Sequence, residues 1–149
     1  MKTKNPISVF LVDDDVVYLT TLEHHLHKHL KSKIQSQSFS CGEDCLKAVE
    51  QHPTTEVVVL DYRLDSKLPN AMNGLDVLQK LKEINPEIIV VMLTSEDKLE
   101  IAIDSIAYGA YEYVVKSETA FIRIQNILRN LIHGVGLRSY YPVDLGGEG

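Results

Sequence analysis

The sequence predicts a doubly wound α/β domain, and three observations carry that prediction. Four short apolar runs, rich in β-branched residues and without alternation, read as strands buried on both faces. They are Val9-Phe10-Leu11-Val12, Val57-Val58-Val59-Leu60, Ile88-Ile89-Val90-Val91-Met92-Leu93 and Tyr113-Val114-Val115. Strand and helix patterns alternate from one end of the chain to the other. Each apolar run also ends on a polar residue: Asp13-Asp14-Asp15, Asp61, Thr94 and Lys116. In a parallel sheet the carboxyl ends of the strands share one edge, where ligands bind. The carboxylates of Asp13, Asp14 and Asp61, a hydroxyl and an ammonium therefore converge on one rim from distant parts of the chain.

In chain order the expected elements are β1 at 7–13, α1 at 15–31, β2 at 33–39, α2 at 43–52, β3 at 56–61 and α3 at 74–85. They continue with β4 at 88–94, α4 at 97–109, β5 at 112–116 and α5 at 118–133. Start and stop signals support these spans. Pro53 and Pro86 each follow a helix, Gly109 ends α4, and Ser117 is suited to cap α5. Asn73 before Gly74 reads as the start of α3. Phe121, Ile124, Leu128 and Leu131 form an inward stripe on α5, and Ile122 and Ile127 widen it beyond one face, either by deeper burial, the simpler account, or as part of a sticky α4–β5–α5 surface. Right-handed crossovers divide the helices between the two faces of the sheet. After His133 the pattern dissolves into glycines with Tyr140 and Tyr141 between them, so the domain spans 6–133 and residues 134–149 form a Gly-rich tail or linker.

The chain has 149 residues, 44% of them apolar and 24% charged, the composition of an ordinary globular domain with a real core. Its net charge of −6 lacks the basic footprint of a nucleic-acid binder. No apolar stretch approaches the roughly 20 residues needed to span a bilayer, and no signal peptide precedes β1. Cys41 and Cys45, four apart on a helix, suit two reduced thiols. A cytoplasmic location is expected, with no nucleic acid bound by this domain and no membrane.

The rim carries the chemistry. If β1 and β3 are neighbours, backbones about 4.8 Å apart place the carboxylates that end them face to face. Two like charges some 5 Å apart repel by roughly 3 kcal/mol at an effective dielectric near 20. A countercharge is required, and hard oxygen ligands on a rigid rim suit Mg²⁺. Asp15 directly precedes α1 and reads as its N-cap. Lys116 supplies a point charge of the kind that holds phosphate oxygens, and Thr94 supplies a hydroxyl donor. Asp13, Asp14 and Asp61 carry −3, which Mg²⁺ and Lys116 balance. A phosphoryl group on Asp61 would replace −1 by about −2, and the added charge must be met by rearranged donors such as Thr94.

The motifs Leu11-Val12-Asp13-Asp14-Asp15, Val59-Leu60-Asp61, Met92-Leu93-Thr94-Ser95 and Tyr113-Val114-Val115-Lys116 resemble those of the receiver domain of bacterial two-component response regulators, of the chemotaxis-regulator type. The resemblance covers residues 7–133. It implies a flavodoxin-like (βα)₅ fold with strand order 2-1-3-4-5. It further implies that Asp61 is the phosphoacceptor and Asp14 the principal Mg²⁺ ligand. Asp13 would act through a bound water, and Arg63 would give its backbone carbonyl to the metal. Thr94 and Lys116 would bind phosphoryl oxygens, and Tyr113 matches an aromatic switch. The implied donor is a sensor histidine kinase or a histidine phosphotransfer protein. The implied readout is an altered α4–β5–α5 surface, which also allows a homodimer.

Two departures stand out. Ser117 occupies the position where the family usually carries a proline, which puts the cis Lys-Pro bond in question because a non-proline cis bond costs about 3 kcal/mol. The loop from Asp61 to Gly74 is also about five residues longer than usual. His24, His25, His27 and His29 crowd α1, and the His25–His29 spacing is that of a metal pair, but without a third ligand they read as a solvated face. Two other functions compete with the switch. Asp13-x-Asp15 also resembles the nucleophile motif of haloacid-dehalogenase-type phosphohydrolases, but the further acidic pair, the cap domain and a last strand are missing. A pseudo-receiver that only binds a partner would not need the intact acidic set.

Overall fold

The computed structural model describes residues 5–65 and 68–134. The expected Gly-rich tail, Tyr140 and Tyr141 included, lies almost entirely outside them. Five parallel strands form one sheet of order β2-β1-β3-β4-β5, as the resemblance implied. They are β1 (Ile7–Val12), β2 (Ile34–Phe39), β3 (Val57–Leu60), β4 (Ile89–Thr94) and β5 (Glu112–Val115). Four α-helices connect them, α1 (Val16–Leu30), α2 (Gly42–Gln51), α3 (Gly74–Ile84) and α4 (Leu99–Ala107), and α5 (Ala120–Ile132) follows the last strand. The fold is flavodoxin-like.

Side-chain alternation along the strands sorts the core into two layers. Val9, Leu11, Val57, Val59, Leu93 and Val114 pack under α1 and α5. Phe10, Val12, Val58, Leu60, Val90 and Met92 pack under α2 and α3. The inner stripe of α1 is Leu19, Leu22, Leu26 and Leu30, all buried at helical spacing. On α5 the stripe is Ala120, Ile124 and Leu128, with Phe121, Ile127 and Leu131 partly buried beside it. Ile127 is partly buried, but Ile122 is exposed, so the widening at Ile122 adds to the surface and not to the core.

The helix starts follow their caps. The Asp15 side chain accepts from the Tyr18 amide and begins α1. Asn73 and Asp76 exchange side-chain and backbone bonds in a capping box that begins α3. Gly109 closes the end of α4 with φ +106°, a conformation that strains any residue bearing a Cβ.

Several expectations need correction. Ser117 does not cap α5: the helix begins three residues later at Ala120, and the Ser117 hydroxyl accepts instead from the Thr119 amide. The helix α4 begins at Leu99 rather than 97 and ends at Ala107. Cys41 stands just before α2 as its N-cap residue, while Cys45 lies buried within it, both as free thiols. The histidines of α1 are not one solvated face, because His25 is half-buried and hydrogen-bonds Gln125 of α5 at 2.8 Å. Residues Asp13, Asp61 and Lys116 were expected as the last residues of their strands. They stand one residue beyond the ends of β1, β3 and β5, which frees their side chains for the rim.

Candidate functional site

Strand register sets the rim. Val12 pairs with Leu60 across β1 and β3, so Asp13 and Asp61 emerge side by side. The Asp61 amide donates to the Val12 carbonyl at 3.0 Å, which holds the two ends together. Thr94 pairs with Val115 across β4 and β5, and the Lys116 amide donates to the Thr94 carbonyl at 2.9 Å. Alternation then decides the faces. Asp13, Asp61 and Lys116 fall on the α1–α5 side, whereas Thr94 and Tyr113 fall on the opposite side with Met92.

One carboxylate oxygen each from Asp13, Asp14 and Asp61 lies within 4.8 Å of the others. Asp13 and Asp61 are each 4% exposed, and Asp14 is half-buried. The Lys116 ammonium donates to Asp13 Oδ2 at 2.8 Å and to Asp61 Oδ2 at 3.3 Å. The Arg63 amide donates to Asp61 Oδ1, also at 3.3 Å. Both contacts to Asp61 are long, so its oxygens are loosely held. Beneath the carboxylates the floor is apolar, with Leu11, Leu19, Leu22 and Val59 around a void of about 10 Å³.

That floor explains the electrostatics. Burial pushes the Asp13 carboxyl up to about 6, against the Lys116 hydrogen bond that favours its charged form and with the charge of Asp61 adding to the rise. Burial also opposes the Lys116 charge, but its bond to Asp13 and the charges of Asp61 and Asp13 outweigh it and hold the ammonium above its ordinary range. Three hard oxygen donors of like charge, one of them destabilised by burial, fit Mg²⁺ in donor chemistry and in spacing.

Three features of the rim were not read from the sequence. Glu96 bridges the flanking loops: its carboxylate accepts from Arg63 at 3.1 Å. The Glu96 amide also donates to Thr94 Oγ1 at 3.2 Å, and the Glu96 carbonyl accepts from the Tyr113 hydroxyl at 2.6 Å. The signal available was opposite charge at equivalent places, each two residues past Asp61 or Thr94, the polar residues that close their apolar runs. Gly74 packs its backbone against the Asp61 carbonyl, and Tyr18 lies under Lys116. Asp15 is exposed and engaged in capping, so it stays out of the acidic set. The long loop after Asp61 is tied down where the Met72 amide donates to Glu43 at 2.9 Å. A wider depression, about 560 Å³, lies elsewhere, along β2 among Ser8, Phe10, His27, Gln37 and His52. It gathers no acidic or basic set, so charge and not volume marks the site.

The family model for the response regulator receiver domain matches residues 9–129. The photosynthetic apparatus regulatory protein RegA of Rhodobacter capsulatus is 32% identical over 113 residues, which is 76% of this chain and 56% of that protein. The probable transcriptional regulatory protein TcrX of Mycobacterium tuberculosis is 31% identical over 83% of this chain and 50% of its own length. The chain thus spans about half the length of these relatives. The solved BeF3-activated DrrB receiver domain superposes with a TM-score of 0.68 at 28% identity, covering 85% of this chain and 97% of that one. Among the described residues no helix is long and apolar enough to cross a membrane. Receiver domains are signalling domains that hold Mg²⁺ at an acidic pocket and interact with histidine kinases or phosphotransfer proteins. By family model and by relatives alike, the chain belongs to the response regulator receiver domains of two-component systems.

Proposed function

We propose that Asp61 accepts a phosphoryl group from a phosphohistidine, on a sensor histidine kinase or a histidine phosphotransfer protein. The observation that carries this reading is the Lys116 ammonium held between Asp13 and Asp61 on the carboxyl rim of the sheet. An Asp61 oxygen forms a bond to phosphorus, the phosphorus–nitrogen bond of the donor breaks, and the leaving imidazole keeps the electron pair and takes a proton. Lys116 meets the charge on the phosphoryl oxygens. Asp15, the second acid of the phosphohydrolase motif, is exposed and engaged in capping α1, and this favours a switch over a phosphohydrolase. The activated form of the related DrrB domain supports the same reading. Incubation with Mg²⁺ and acetyl phosphate or phosphoramidate should add one phosphoryl group by intact mass. A chain that never gains mass under these conditions is not such a switch.

Asp14 and Asp61 would hold Mg²⁺ directly, Asp13 through a water and Arg63 through its backbone carbonyl. Bound there, the ion supplies positive charge to a phosphoryl group on Asp61. Because the carboxylates repel one another, millimolar Mg²⁺ should raise the melting temperature of the wild type by linkage, with little effect after Asp14→Ala. An unchanged wild-type melting temperature with no NMR perturbation at the rim counts against the metal.

The readout would run through Glu96. Thr94 Oγ1 holds its amide and the Tyr113 hydroxyl holds its carbonyl, so two hydroxyls from the same face grip one residue ahead of α4. Phosphoryl charge on Asp61 would draw the Thr94 hydroxyl toward it and reset that grip. The surface that follows is apolar: Leu99, Ile103, Ile106, Tyr108, Tyr111 and Ile122 are all exposed. Such a patch suits a downstream target or a second copy across α4–β5–α5. Beryllofluoride should shift NMR signals in α4 and β5 of the wild type, and those shifts should shrink in Thr94→Ala. Equal shifts in both proteins would show that the signal travels by another route.

A further inference from the structure

We propose that Tyr18 is a positioning residue whose ring carries the Lys116 ammonium over the rim, so that the ring sets the rate of phosphoryl transfer to Asp61. This inference rests on the reading of Asp61 as phosphoacceptor. The Lys116 ammonium stands 4.1 Å from the centre of the Tyr18 ring, well inside the roughly 6 Å range in which a cation is drawn to an aromatic face. Its remaining contacts at the rim are the carboxylates of Asp13 and Asp61.

The ring is braced from three directions. Tyr18 sits in the first turn of α1, where its amide is held by the Asp15 cap. It continues the inner stripe of α1 one turn before Leu22. Phe121 of α5 meets it edge-on, with ring centres 5.3 Å apart and planes at 67°, and Phe121 in turn packs on His25 at 5.4 Å. The Tyr18 hydroxyl is buried and has no hydrogen-bond partner among the described residues. Packing of the ring, not bonding of its hydroxyl, therefore fixes this side chain.

The physical point is what happens to Lys116 when the carboxylates change partners. An ammonium bound only to Asp13 and Asp61 would follow those groups as they turn toward a cation or gain a phosphoryl group. The face of Tyr18 keeps its negative quadrupole throughout, so it is the one partner whose attraction does not change during the reaction. It holds the ammonium beside Asp61, where a phosphoryl oxygen would arrive. Ser117, Glu118 and Thr119, which follow Lys116 in the chain, are exposed.

Three proteins test this: wild type, Tyr18→Phe and Tyr18→Met, each followed by intact mass during incubation with phosphoramidate and Mg²⁺. Tyr18→Phe keeps the ring and should react at the wild-type rate. Tyr18→Met fills similar space without a π face and should react roughly tenfold more slowly. A second measurement does not depend on any variant folding. In wild-type NMR spectra the Lys116 Cε protons should be shifted upfield by the ring current, a shift that Tyr18→Phe retains and Tyr18→Met loses. Ordinary Lys116 Cε shifts in the wild type overturn the inference. So does a folded Tyr18→Met protein that reacts as fast as wild type, or a slow Tyr18→Phe protein, which would assign the effect to the hydroxyl. A wild type that never gains a phosphoryl group overturns the Asp61 reading as well. Its Lys116 shifts would still report whether the ring holds the ammonium, so the two failures are told apart.

Discussion

Asp61→Asn is expected to abolish phosphoryl gain from acetyl phosphate or phosphoramidate, by more than about a hundredfold in rate, because the amide lacks the nucleophilic oxygen. The fold should not suffer. Asp13 and Asp61 are both buried over an apolar floor, and neutralising one relieves their repulsion while Lys116 keeps its 2.8 Å bond to Asp13. The melting temperature should therefore hold or rise, so that lost phosphorylation cannot be ascribed to unfolding. Asp15→Asn is the matching control. Asp15 is exposed, and its carboxylate is engaged by the Tyr18 amide at 3.1 Å, so this variant should keep most of the activity. Loss on changing Asp15 with Asp61→Asn still active would support the phosphohydrolase chemistry suggested by Asp13-x-Asp15.

Gly74→Ala should be the most damaging single change to the fold near the rim. A Cβ at this position would run into the Asp61 carbonyl oxygen and lie 2.6 Å from Tyr62 Cα. Both obstacles are backbone, so no rotamer change relieves them. The Gly74 amide also donates to the Tyr62 carbonyl at 2.7 Å, tying the start of α3 to the residue after Asp61. Forcing the two segments apart should lower stability by about 3 kcal/mol, at the upper end of overpacking effects. For a domain of this size that is a fall in melting temperature of roughly 10 °C. Because the displaced backbone carries Asp61, phosphorylation should slow in whatever fraction stays folded. A Gly74→Ala protein with wild-type melting temperature and wild-type phosphorylation would show that the contact yields easily.

Much of the arrangement was legible because local rules and the sheet agree. Buried parallel strands must be apolar along their whole length, so Val57-Val58-Val59-Leu60 and its counterparts announced themselves, and the first polar residue after each run marked the rim. Asp15 and Asn73 were legible as caps because capping depends on neighbours only three residues away. Ser117 misled for the same local reason: its hydroxyl suits a cap, yet the chain turns for two more residues before α5 begins.

The sequence by itself therefore determined the fold class, the order of elements and the set Asp13, Asp14, Asp61, Thr94 and Lys116 on one edge. The physical reason is that burial on both faces and the carboxyl-edge rule constrain every strand in the same way. Only the tertiary structure decided which side chains touch. Register put Asp13 beside Asp61, and alternation sent Thr94 and Tyr113 to the face opposite Lys116. The approach of α3 to the Asp61 loop made Gly74 indispensable, and the packing of α1 on α5 laid Tyr18 under the Lys116 ammonium. These contacts join residues as far apart as 103 positions, and they depend on how helices sit on a twisted sheet, which no local pattern encodes.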